Sequence, residues 1–123
     1  MSTRQIYTVA EANALLPYLA PTLVELREKY EDAAKIRGKM ARASASNGWS
    51  QERDGWAAKL ARVNELFDRI NDWNIELRDI ATGLVDFPGE IGGEQVWLCW
   101  RLGEPEVAFW HPTTEGFDGR RPL

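Results

Sequence analysis

Apolar positions along the chain follow two periods, one up to about residue 74 and another beyond it. Leu19, Leu23, Leu26, Tyr30 and Ala33 recur at steps of three and four, the spacing that lines one face of an α-helix. Ahead of them, Thr8-Val-Ala-Glu11 is a capping box, in which the Thr8 hydroxyl accepts from the Glu11 amide and Glu11 reaches back to that of Thr8. The pattern predicts a helix starting there and running through about Leu16. Pro17 and Pro21, lacking helical donors, predict a second start or a kink, after which the helix runs on towards Met40 or Arg42. Trp56, Leu60, Val63, Phe67, Ile70 and Trp73 form a second and clearer stripe, with Ser50 as N-cap. Between the stripes, Asn47-Gly48 is a strong turn signal in a short polar link. Two amphipathic helices so joined predict an antiparallel hairpin.

Asn74, which tolerates a left-handed backbone, predicts the end of the second helix. The period then drops to two, predicting strands at about 75–79, 84–88, 95–102 and 107–111, with an edge strand at Arg4–Tyr7. Connections this short favour an antiparallel meander. The predicted fold class is therefore α+β, a long antiparallel helical hairpin packed with a small antiparallel β meander of three to four strands. One domain is expected over residues 1–123, with the hairpin at about 8–73 and the β unit and tail at about 75–123. Pairing Pro88 with Gln95 puts Leu84, Trp97 and Cys99 on one face and Val85, Phe87, Val96, Leu98 and Trp100 on the other. Both faces are apolar. The hairpin covers one; the other requires the C-terminal tail or a second copy, since a large exposed apolar patch is unusual on a monomer. A homodimer is the expectation.

Composition narrows the classes. A single Cys excludes an intramolecular disulfide and fits a reducing cytoplasm. No apolar run approaches the roughly 20 residues a bilayer requires, and the N-terminus lacks a signal peptide's apolar region, so no membrane association is expected. The net charge of −4 comes wholly from residues 83–123, which carry seven acids and three bases, while residues 1–82 carry twelve of each. Nucleic acid is not an expected partner, because the only basic cluster is Lys35, Arg37, Lys39 and Arg42. Those charges suit the C-terminal end of a helix dipole.

The β unit and tail hold the candidate chemistry. Asp86 and Arg101, with Asp79, fall on the face of Trp97 and Cys99, where charges must be paired or solvated. They read as an ion pair fixing the sheet or as the polar floor of a pocket. Cys99 and His111 can make a soft metal site or a nucleophile–base pair, or Cys99 is a small buried hydrophobe. Register decides: if Leu102 opposes Val107 the two lie on opposite faces, and if it opposes Glu106 they share one, diagonally displaced. His111 with Asp86 and Glu104, and with Asp79 and Glu106 nearby, can hold a divalent metal or transfer a proton. Arg120-Arg121 offer planar donors to an anion, or pin a tail whose Phe117 plugs a groove. Trp49, in the polar link, is a candidate partner contact.

The segment Tyr7-Thr-Val-Ala-Glu-Ala-Asn-Ala-Leu-Leu-Pro17 and the blocks at 83–88, 96–104, 109–111 and 116–123 resemble the bacterial family called domain of unknown function 2203, over nearly the whole chain. The resemblance implies a small cytosolic helix-plus-sheet protein and carries no reaction or catalytic residues. That family usually has Gly where this chain has Asn74; both tolerate positive φ. No motif joins a nucleophile, a base and an oxyanion donor. The expected function is thus a non-catalytic, homo-oligomeric binding or assembly module with a protein partner. The alternative is a small metal-dependent enzyme or ligand binder, with Asp86, Arg101, Glu104 and His111 around a pocket on the C-terminal sheet. The two divide on whether Asp86 and His111 converge in one concave pocket.

Overall fold

The structure, a computed structural model, describes residues 6–42 and 49–123, with the side chains of 49–52 left aside. The expected Asn47-Gly48 turn and most of the Arg4–Tyr7 strand lie outside the described residues, whereas Ser50 and Trp49 stand inside the first turn of the second helix rather than at its N-cap and in the polar link. Helix α1 spans Val9–Arg42 and α2 spans Trp49–Asp72. The capping box forms as read: the Glu11 amide donates to Thr8 Oγ1 at 3.1 Å and the Thr8 amide to Glu11 Oε1 at 2.9 Å.

The expected break at Pro17 does not occur, and α1 is continuous through both prolines. Pro17 and Pro21 are four residues apart on the exposed side of the helix. The carbonyls they leave without helical donors lie on that same side, where water can satisfy them. Leu19, Leu23, Leu26 and Ala33 are buried as the stripe requires, but Tyr30 is exposed. On α2 the fully buried seam is Val63, Leu66 and Ile70, with Phe67 only partly covered. A bidentate pair, Arg62 Nε and Nη2 on Glu25 at 2.6 and 2.7 Å, joins the two helices. Asn74 ends the hairpin with φ 59°. Among the described residues, no helix is long and apolar enough to cross a membrane.

Strands β1 (Glu76–Asp79), β2 (Leu84–Ile91), β3 (Glu94–Arg101), β4 (Phe109–Pro112) and β5 (Arg121–Pro122) form one antiparallel sheet in the order β1-β2-β3-β4-β5. Among the described residues the sheet thus has five strands, the last contributed by the tail. The β2–β3 register also differs from expectation: Pro88 faces Trp97, and Gln95 faces Glu90. Gly92 and Gly93 have φ of 60° and 83°, the paired positive values of a two-residue turn whose twist matches the strands. Both strands therefore run closer to the turn than the expected ends at 88 and 95. A slip of two residues keeps every side chain on its face. Pro88 turns its backbone to the open side beyond β1, where its carbonyl accepts from the Tyr7 amide at 2.7 Å. Its missing N–H therefore takes no rung from the ladder.

Val85, Phe87, Val96, Leu98 and Trp100 face the helices and merge with Leu19, Leu23, Leu26, Leu66 and Ile70 in one core. The opposite, outer face is covered in part by the tail. The Arg120 guanidinium lies 4.2 Å from the Phe109 ring and 4.7 Å from that of Phe117, and the Leu123 amide bonds the Ala108 carbonyl at 2.9 Å. The lid that this face required is supplied, to that extent, within the chain.

Candidate functional site

Alternation along three adjacent strands brings the site together on the outer face. Asp86 of β2 faces Cys99 of β3, and across the next ladder Cys99 faces Phe109 while Trp97 faces His111 of β4. This is the register in which Leu102 would oppose Glu106, so Cys99 and His111 share a face at a diagonal. The ligand atoms of Asp86, Cys99 and His111 all lie within 4.8 Å of one another, and all three residues are buried.

The hydrogen bonds of His111 define its ring. Nδ1 lies 2.9 Å from the Pro112 carbonyl, which can only accept, so Nδ1 carries a proton. Nε2 lies 3.0 Å from Asp86 Oδ2, and that contact is a hydrogen bond only with a proton between the two atoms. Arg78 Nε donates to the same oxygen at 2.9 Å, and its guanidinium carbon sits 4.9 Å from the Trp97 ring centroid. Oδ2 is thus doubly engaged. Asp86 Oδ1 is buried and has no hydrogen-bond partner among the described residues.

A cavity of about 350 Å³ lies against this trio, rimmed by Arg78, Trp97, Thr113, Gly116 and Phe117. Larger hollows of about 490 and 410 Å³ lie along the helices, lined by no buried ionisable side chain, and one of about 500 Å³ opens between Tyr30, Phe67 and the β1–β2 turn. It is lined by no buried ionisable side chain, so the smaller cavity is where specific chemistry can be held.

Burial first, and the Asp86 charge second, push the Cys99 thiol up to about 12. A thiol held there is not a nucleophile at neutral pH, and His111 Nε2 is turned to Asp86. The nucleophile–base pairing weighed from sequence therefore lacks both its thiolate and its base. Cys99 is expected to resist a thiol-specific disulfide reagent in the native protein at neutral pH and to react completely in denaturing urea. Fast native reaction at the rate of a free thiol would contradict this burial.

The remaining candidates fall elsewhere. Arg101 is exposed, 5.3 Å from the Phe117 ring centroid, and Asp86 pairs with Arg78 in its stead. Glu104 takes the Arg101 amide at 2.7 Å and Arg120 Nη2 at 2.8 and 2.9 Å, which ties the tail to the β3–β4 turn. Arg121 bonds Glu115 at 3.1 Å beside Trp110. Asp79 accepts from the Thr82 hydroxyl at 2.6 Å, the principal cause of its lowered pKa. Arg78 was missed by the sequence reading. It lies where the β1–β2 register shifts, between Leu77 and Asp79, and the alternation pattern holds no signal for that irregularity.

Comparison with curated proteins finds no match, and comparison with solved structures finds none. One family model, described as an uncharacterized conserved protein (DUF2203), matches residues 5–123 and so contains every residue of the site. The chain belongs to that family.

Proposed function

We propose that the protein is a non-catalytic binding module whose ligand occupies the cavity against Asp86, Cys99 and His111. The observation that carries this reading is Asp86 Oδ1, a buried carboxylate oxygen left without a partner beside a cavity. Burying such an atom unsatisfied is costly, and native proteins rarely do so without reason. A ligand that satisfies Oδ1 accounts for the arrangement, with Trp97 and Phe117 giving it apolar walls. The convergence of Asp86 and His111 favours ligand binding over pure assembly. The poor ionisation of Cys99 weighs against nucleophilic catalysis.

Ligand-observed NMR tests this on chelator-treated protein, with a panel of small polar organic molecules. At least one binder is expected, and Gly116→Phe is expected to weaken it tenfold or more. A Cβ added at Gly116 meets nothing within 4 Å, so the variant should fold and crowd the cavity rim. Binders unaffected by both Gly116→Phe and Asp86→Asn would move the site elsewhere.

Self-association in a reducing cytoplasm is the second reading, and it draws on the apolar outer face. The tail takes up part of that surface, which is why binding is favoured. Light scattering at twice the 14.0 kDa chain mass would support a homodimer, and a single chain mass would remove it.

A further inference from the structure

We propose that Asp86 Oδ1, Cys99 Sγ and His111 Nε2 bind one divalent cation of borderline softness, zinc being the type, with a fourth coordination position open to the cavity. This rests on the cavity being a ligand site and assigns a cation to its polar floor.

The donor set is one imidazole nitrogen, one sulfur and one carboxylate oxygen, which together suit zinc-like ions rather than magnesium or calcium. Bonds of about 2.0–2.3 Å in a tetrahedral shell place neighbouring donors about 3.3–3.7 Å apart. One ligand atom from each of the three residues already lies within 4.8 Å of the other two, so side-chain adjustments of roughly 1 Å, including a turn of the carboxylate that presents Oδ1, close the shell. Each donor stands on a different one of three neighbouring strands, and Asp86 and Cys99 are direct cross-strand partners. A rigid ladder therefore holds the spacing.

The outer contacts are those a cation requires. Nδ1 of His111 is held by the Pro112 carbonyl, which fixes the tautomer whose Nε2 lone pair is available to a metal. Arg78 holds Oδ2 of Asp86 and so leaves Oδ1 as the coordinating oxygen. Binding releases the thiol proton of Cys99 and the proton between Nε2 and Oδ2, and both go to solvent. Carboxylate and thiolate then cancel the charge of the cation. Arg78 leaves a local positive balance, so the exchangeable fourth ligand is water or an anion.

Tag-free, chelator-stripped full chain titrated with Co²⁺ tests this directly. The chain has one Cys and one His, so a thiolate-to-cobalt charge-transfer band can arise only from Cys99. One equivalent of Co²⁺ is expected to give that band with the visible spectrum of a four-coordinate ion, and Zn²⁺ is expected to displace it. Cys99→Ser should abolish the band, and Arg78→Met should weaken binding roughly 10–100-fold by freeing the carboxylate. A spectrum that stays that of hydrated Co²⁺, or an unchanged affinity in folded Cys99→Ser, overturns the proposal. Should Cys99→Ser fail to fold, the wild-type spectrum decides alone. If no cation binds while organic ligands still bind the chelated protein, only the cation assignment falls. If neither binds, the cavity reading falls with it.

Discussion

Asp86→Ala is expected to destabilise the protein by about 3–5 kcal/mol, the usual loss when one partner of a buried charged pair is removed. The side chains of Asp86 and His111 are each 3% exposed. Alanine would leave the His111 Nε2 and the Arg78 Nε without their acceptor, and His111 is a buried residue lining the cavity. Arg78 is 41% exposed, so its share is small once solvent screening is counted. Most of the loss therefore belongs to the His111 contact. Asp86→Asn keeps the shape and an acceptor oxygen, and is expected to lose about 1–3 kcal/mol. Urea denaturation read as a midpoint shift at constant slope measures both. A change below about 1 kcal/mol for alanine would mean that the carboxylate is solvated in the native state.

The adjacent residue tests the opposite face of the same strand. Phe87 is fully buried, stands edge-on to Tyr7 at 5.2 Å between ring centroids and belongs to the core shared with the helices. Phe87→Ala is expected to cost about 3–5 kcal/mol through lost burial and the cavity left behind. That is a large part of the 5–15 kcal/mol by which domains of this size are ordinarily stable. In the cold, where enough protein remains folded, the variant is expected to keep its Co²⁺ site, since Phe87 points away from it. Asp86→Ala is expected to lose that site. Thermal denaturation and cobalt spectra of the two variants together separate the core from the site. Equal loss of metal binding in both would show that the two faces are not independent.

Local signals and parity were the legible part of this chain. Thr8 and Glu11 announce the first helix because a capping box is complete within four residues. Asn74 marks the end of the second through backbone freedom alone. The two faces of the sheet were readable despite a register slipped by two, because the alternation of side chains survives any even slip. What needed the structure was long-range. No local rule says that Pro17 and Pro21 will fall on a solvent-facing side of α1, which is what lets the helix continue. The Cys99–His111 relation hung on a β3–β4 register that the sequence left open between two values. Arg78 reaches Asp86 from the stretch where the β1–β2 register shifts, which is why Arg101 looked the better partner. The tail became a lid because Arg120 meets Glu104 and Phe109 together, a contact made across three strands' worth of folding.

The chain contains one histidine, so a long-range proton–nitrogen NMR spectrum of its imidazole reports on the site without assignment. Nδ1, held by the Pro112 carbonyl, is expected to carry its proton in both the free and the zinc-treated protein. Nε2 is expected to show the larger change of resonance on addition of one equivalent of Zn²⁺. An unprotonated Nδ1 in the free protein, or an Nε2 resonance indifferent to zinc, would contradict a site built on Asp86, Cys99 and His111.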